Sequence, residues 1–375
     1  MHPHGDLLRK TLLLSESLTS LTTTDWDLLI PQARRAALLA RLESLLSERG
    51  LLDRVPKPVR THLKSARIVA ANEDRVMRWE INRIQRALAG IDTPIVLLKG
   101  AAYALAGLPL AKGRISSDVD ILVLKEKLQA VEEKLLQHGW RHVKLQQYDQ
   151  SFYRTWSHEL PPLQHRDRKT IVDVHHTILP LTGRLHPDPR KLLEAAVPLA
   201  GTKFSVLAPV DMVLHSAAHA FQDGDFQRAL RDLVDLDDLL RHFGARRSFW
   251  NELLSRAEQL ELTRPLFYAM RYAHGFFNTP VPGFVSAQCH RWRPAWPALI
   301  IMDQLVSHAV NPIEPAGKSR RAKFSLWLLY VRSHWLRMPP WLLAKHLLRK
   351  TFRRWGSAEN QSPAELPLEA PKKSR

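Results

Sequence analysis

One stretch constrains this chain more than any other: Ile95 to Val123, IVLLKGAAYALAGLPLAKGRISSDVDILV. It sets two carboxylates, Asp118 and Asp120, two residues apart and directly ahead of the apolar run Ile121-Leu122-Val123-Leu124. On a strand, side chains at i and i+2 point to the same face, so Val119 can enter the core while both acids project together. Like charges held that close repel unless a cation sits between them. Mg²⁺ takes a few carboxylate oxygens plus substrate phosphates, and paired metals can clamp the attacking and leaving oxygens of phosphoryl chemistry. The pattern predicts a divalent-metal site, for Mg²⁺ or Mn²⁺. On this motif alone, a solvated strand end or a helix N-cap stays open as the plainer reading.

The flanking residues favour the metal. Ile95-Val96-Leu97-Leu98 reads as a buried strand that turns at Lys99-Gly100 into a short Ala/Leu-rich helix, Ala101 to about Ala106. A Pro/Gly-containing loop then leads to Arg114, Ser116 and Ser117, groups suited to phosphate. Two β-rich segments with a helix between them read as the edge of a sheet in an α/β unit. A third carboxylate is expected from Thr170-Ile171-Val172-Asp173-Val174-His175, a β-branched run in which Asp173 and His175 share a face.

Leu98-Lys99-Gly100, then Arg114-x-x-Ser117-Asp118-x-Asp120-Ile121-Leu122-Val123, then Val172-Asp173-Val174-His175, resembles the uncharacterised nucleotidyltransferase family of the DNA polymerase β superfamily, common in bacteria. The resemblance covers about residues 95–176 well and continues more weakly to about residue 240. It implies an α/β (α+β) fold: a small mixed sheet from about Ile95 to Ile178, flanked by helical regions. It also implies Mg-dependent transfer of a nucleoside monophosphate from an NTP to a hydroxyl acceptor, with release of pyrophosphate. Asp118, Asp120 and Asp173 would then be the catalytic metal ligands. Lys99, the Gly100 amide and Arg114 would neutralise phosphate charge, and Ser117 would hydrogen-bond a phosphate oxygen. His158 and His175 match positions where the family carries histidine; they would orient a phosphate or the acceptor, or be histidines with no catalytic role. The superfamily more usually has Gly-Ser on the first turn and a shorter gap to the Asp pair than Lys99-Gly100 and the loop found here. His158, His165, His175 and His176 match no tight structural zinc spacing and have no accompanying Cys.

Charge is the second constraint. The 375-residue chain carries a formal +18, which calls for an anionic partner: nucleotide, anionic lipid, a polyanionic glycan or nucleic acid. Nucleic acid is the weaker expectation, because no recognised RNA-binding motif is present. A lone Cys289 rules out an intramolecular disulfide and fits a reducing compartment. There is no run of about 18 apolar residues and no signal-peptide core, so the expected location is cytoplasmic, with the inner face of the membrane left open by the basic C-terminal helices.

The remaining chain divides as follows. Residues 1–90 read as a helical region, with Pro31 in the first turn of a helix running to Glu48 and Gly50 past its end. Asn72 is expected to cap a further helix whose apolar face carries Val76, Trp79, Ile81, Ile84 and Leu88. The catalytic core spans 91–185. It includes a helix from Lys125 to His138, antiparallel strands at Trp140–Leu145 and Ser151–Trp156, and a proline-bearing loop from His158 to His165. Residues 186–280 read as a helical domain. There Leu230, Leu233, Leu236, Leu239 and Leu240 form a stripe, with Asp232, Asp235, Asp237 and Asp238 mostly on other, solvated faces. His215 and His219, four apart on a helix, are read as structural ahead of a metal pair. Ser248 to His274 reads as two more helical stretches, ending at Gly275. Residues 281–355 read as basic, Trp-rich amphipathic helices, and 356–375 as a disordered tail. Segment 321–355 suits a membrane interface, a polyanion or the protein's own core. A non-catalytic scaffold with the same fold, acting through those helices, is the competing function.

Overall fold

The computed structural model describes residues 7–13, 20–116, 118–143, 156–223, 226, 228–310 and 319–339. Its centre is a mixed seven-stranded sheet: β1 (Ile95–Leu97), β2 (Asp118–Leu122), β3 (Trp140–His142), β4 (Leu163–His165), β5 (Ile171–His175), β6 (Val197–Pro198) and β7 (Phe204–Val206). The order across it is β3-β4-β5-β2-β1-β7-β6. β2 is antiparallel to β1 and parallel to β5, with Asp120 level with Asp173. The Ile95–Val123 stretch therefore supplies the middle of the sheet, where an edge was expected. Its strands are short but buried on both faces, with Val96, Leu97, Ile121 and Leu122 fully enclosed, the composition of central strands.

The sheet also runs beyond Ile178. β7 pairs in parallel with β1, and β6 closes that edge. On the other side β4, in the stretch expected to be only a loop, pairs with β3 and β5. Pro161 and Pro162 stop just short of β4, so they cost the ladder no donor. Most of the predicted partner strand Ser151–Trp156, and the end of Trp140–Leu145, fall outside the described residues.

The helical flank departs from the expected boundaries for local reasons. A capping box, Thr22 with Asp25, starts the Thr23–Arg35 helix, and Pro31 lies inside it. Ala37, at φ 57°, then turns the chain into a second helix, Leu39–Glu48. Helix Lys57–Ala87 runs unbroken through Asn72. Its buried stripe includes Leu63, Ala70, Met77, Ile81 and Ile84, while Val76 and Trp79 are exposed. Trp79 is covered on its face by Arg83 and Arg168, 4.8 Å and 5.3 Å from the ring. Arg168, in the turn before β5, grips the buried Glu80 with two bonds of 2.8 Å, fixing that turn against the long helix.

Helix Pro209–Ala218 follows β7, and helices Ala229–Gly244, Arg247–Gln259 and Thr263–Phe277 pack on it. The last of these passes through Gly275 and stops at Asn278, which takes the left-handed conformation. Helices Trp296–Val310 and Arg320–Arg337 pack on each other at the far side. No described helix is long and apolar enough to cross a membrane. The second predicted basic helix and the tail lie outside the described residues.

Candidate active site

The strand register assembles the acids. Asp118 and Asp120 share a face of β2, and Asp173 stands beside Asp120 on β5. Asp118 is exposed at the strand start; Asp120 is 5% exposed. Burial pushes the Asp120 carboxyl up, but the Lys99 ammonium and a hydrogen bond from His175 outweigh that and hold it well below the usual range. Lys99 Nζ lies 3.4 Å, and His175 Nε2 3.0 Å, from Asp120 Oδ1. At Asp173 the His175 charge pulls the same way but is outweighed. Burial first, then the charges of Asp120 and Glu159, push its carboxyl up to about 7. Its Oδ1 is buried with no hydrogen-bond partner. A buried oxygen without a donor, next to a second carboxylate, is what a bound cation would satisfy. The three aspartates therefore fit Mg²⁺ or Mn²⁺, although, among the described residues, their oxygens do not form a group within 4.8 Å of one another.

The turn after β1 shapes the mouth. Lys99 takes φ 45° at the start of helix Lys99–Leu105, a conformation that costs an L-residue roughly 1–2 kcal/mol. Glycine would adopt it freely; the lysine places its ammonium on Asp120 instead. Gly100 is required by packing: a Cβ there would overlap the Ser116 side chain and the Arg114 guanidinium. Arg114 sits at this mouth but is engaged. Its Nε donates to Asp235 Oδ2 at 2.9 Å, it also contacts the Ser116 hydroxyl, and its guanidinium lies 5.4 Å from the Tyr103 ring. Ser117 lies outside the described residues.

Several partners escape a reading of local pattern. The Asp-rich face of helix Ala229–Gly244 is not simply solvated. Asp235 pairs with Arg114, Asp238 accepts two 2.8 Å bonds from Arg41, and Asp237 holds Arg241 and Thr279. Burial pushes Asp232 up to about 6. His215 is buried, and burial, then Lys99, keep its imidazole far below the ordinary histidine range and neutral. Glu159 lies between His158 and His175, 3.4 Å from His175 Nδ1. A charged residue between two histidines in one short loop was the available signal. His165 and His176 are structural: Arg168 and the Ser157 carbonyl are their partners.

The profile of a family described as uncharacterised nucleotidyltransferase matches residues 22–278. No curated protein matches the chain significantly.

Proposed function

The chain belongs to that family of uncharacterised nucleotidyltransferases, and on this premise we propose that it transfers a nucleoside monophosphate from an NTP to a hydroxyl acceptor. The acceptor oxygen bonds to the α-phosphorus, the bond to the β-phosphate bridge breaks, and pyrophosphate leaves. The observation that supports this most is the unpaired, buried Oδ1 of Asp173, level with Asp120 on the paired strand. Mg²⁺ or Mn²⁺, when bound, supplies charge neutralisation at the triphosphate and eases loss of the acceptor proton. Asp118, Asp120 and Asp173 are the residues that would hold it. Asp173 would also help take the proton of the acceptor hydroxyl. Lys99, the Gly100 amide and Arg114 line the turn where the triphosphate enters, with Ser117 as a further donor, and His158 and His175 face the acceptor side. Catalysis of this kind is positioning plus electrostatics.

The test is transfer of α-labelled phosphate from each of the four NTPs, with a bacterial lysate as acceptor source. Wild type is expected to label an acceptor, and Asp118→Asn and Asp120→Asn to lose about 10²–10³-fold or more of that rate. Folded wild type that labels nothing with any triphosphate rejects the transferase reading in favour of a scaffold.

A second element of the reading concerns location. Phe324, Trp327, Val331 and Trp335 are exposed along one face of helix Arg320–Arg337, while its buried face is Ala322, Ser325, Leu329 and Ser333. Arg320, Arg321 and Lys323 lie at its start, and no acid occurs in it. Aromatics beside cations on an exposed helix suit the headgroup region of an anionic membrane. The protein would then work in the cytoplasm against that surface. Co-sedimentation with anionic but not neutral vesicles checks it.

A further inference from the structure

The segment around His158-Glu159-Leu160 is bound to the end of β5 by its backbone. The Leu160 amide donates to the Val174 carbonyl, and the His176 amide to the His158 carbonyl, both at 2.9 Å. Glu159 and His175 form an antiparallel bridge. Residues opposite one another in such a bridge project to the same side. The main chain thus sets the Glu159 carboxylate against the His175 ring with little freedom to drift.

His175 is 3% exposed. Its Nε2 faces Asp120 Oδ1 at 3.0 Å and its Nδ1 faces Glu159 Oε2 at 3.4 Å. The Nδ1 is buried and makes no hydrogen bond. A neutral imidazole has one N–H. If Nε2 donates it to Asp120, Nδ1 turns a lone pair toward a carboxylate oxygen, and a positive centre, either a second proton on the ring or a metal ion, belongs between them. The 3.4 Å gap equals the separation of two ligand atoms on a tetrahedral ion with bonds of about 2.0–2.1 Å. A third donor is at hand: His158 Nε2 is 4.0 Å from Glu159 Oε2. One ligand atom from each of the three residues lies within 4.8 Å of the others.

The geometry points to a second metal site, for Zn²⁺ or a similar imidazole-seeking dication, on His158, Glu159 and His175. Two histidines and one carboxylate, with the fourth position open to water or an acceptor oxygen, is the ligand set of catalytic zinc. Asp120 then plays the outer carboxylate that orients a metal-bound histidine. The two sites divide by ligand type: three carboxylates suit Mg²⁺, and imidazole suits Zn²⁺. Asp120 touches both, so occupancy of one alters the other. This assignment does not rest on nucleotidyl transfer.

The test uses the full chain freed of metal and titrated with Co²⁺, whose visible absorption is strong in four-coordinate sites and weak in six-coordinate ones. Wild type is expected to bind one equivalent with the strong spectrum, displaced by Zn²⁺. Glu159→Gln and His158→Ala should each weaken that binding by at least about tenfold, with circular dichroism confirming that they fold. His186→Ala, at an exposed histidine outside the cluster, should bind Co²⁺ as wild type does. A weak six-coordinate spectrum in wild type, or a strong one unchanged in both Glu159→Gln and His158→Ala, overturns the site. Label transfer measured on the same samples separates the two claims: a Co²⁺ site without transfer rejects only the transferase reading, and transfer without the site rejects only this one.

Discussion

The acidic cleft beside the paired strands β2 and β5 and the helix Arg320–Arg337 break the usual partition of groups in opposite directions. The cleft buries titratable groups: Asp120, His175 and His215 are enclosed, and Asp173 is half-buried beside them. The helix exposes bulk: Trp327 is 55% and Trp335 46% accessible, while Ser325 and Ser333 are buried beneath them. Charge burial costs free energy unless it is paired, and an aromatic left in water gives up the gain of burying it. A fold departs from the stable partition where something outside the chain completes it. On the function proposed above, the partner in the cleft would be metal and triphosphate, and the partner of the helix an anionic surface that takes rings and neutralises arginines.

The largest test asks how much of the cleft's polarity is carried by the chain's own ion pairs. Asp235→Ala strands the buried Arg114 guanidinium, whose side chain is 11% exposed. Removing one partner of such a pair destabilises by about 3–5 kcal/mol. Chemical denaturation should show that loss, and adding Arg114→Met should restore most of it. If Asp235→Ala costs under about 1 kcal/mol, the pair is solvated and the cleft is less enclosed than described.

A smaller effect of opposite sign is expected at Asp173. Its carboxyl is raised from 3.8 to about 7 in the fold. The folded state therefore binds the proton more tightly than the unfolded one. The stability this contributes is complete below about pH 4 and is lost as pH rises through about 7, by at most about 1.4 kcal/mol per pH unit. Metal-free Asp173→Asn lacks that slope and should exceed wild type by about 1–2 kcal/mol at pH 8, while transferring no nucleotide. Mg²⁺ or Mn²⁺ should raise the wild-type melting temperature more at pH 8 than at pH 5. A flat difference between the two proteins across that range excludes Asp173 as a strained anion.

The smallest effect on stability belongs to the helix. Trp327→Ser with Trp335→Ser should change unfolding free energy by no more than about 0.5 kcal/mol, because neither ring is enclosed. The same double variant should lose most of its binding to anionic vesicles. A cooperative destabilisation of several kcal/mol would mean that the rings are covered by protein in solution, and the contrast with the cleft would fall.

Much of the cleft is legible in residues 95–175. Strand periodicity put Asp118 and Asp120 on one face, and the β-branched run around Asp173 announced its neighbour. Gly100 and Lys99 were located by the break between an apolar strand and a helix. Glu159 was missed because its role comes from a bridge to β5 across 16 residues, and a proline-bearing loop hides that pairing. The Asp-rich helix misled for a related reason. Charges off its leucine stripe look solvated until Arg41 and Arg114, more than a hundred residues earlier, are seen to reach them.

What the sequence alone determined was local: which runs could be strands, where two carboxylates would share a face, where basic and aromatic residues concentrate, and from these a family. Those properties follow from side-chain spacing on a regular backbone, which is readable within a few residues. The tertiary structure decided the rest. It added β6 and β7 to the sheet, placed β1 and β2 at its centre, tied Arg114 to Asp235, set Glu159 against His175, and turned the aromatic face of the last described helix outward. Each of these depends on which distant segments the chain brings together, and contact between distant segments leaves no periodic trace in either one.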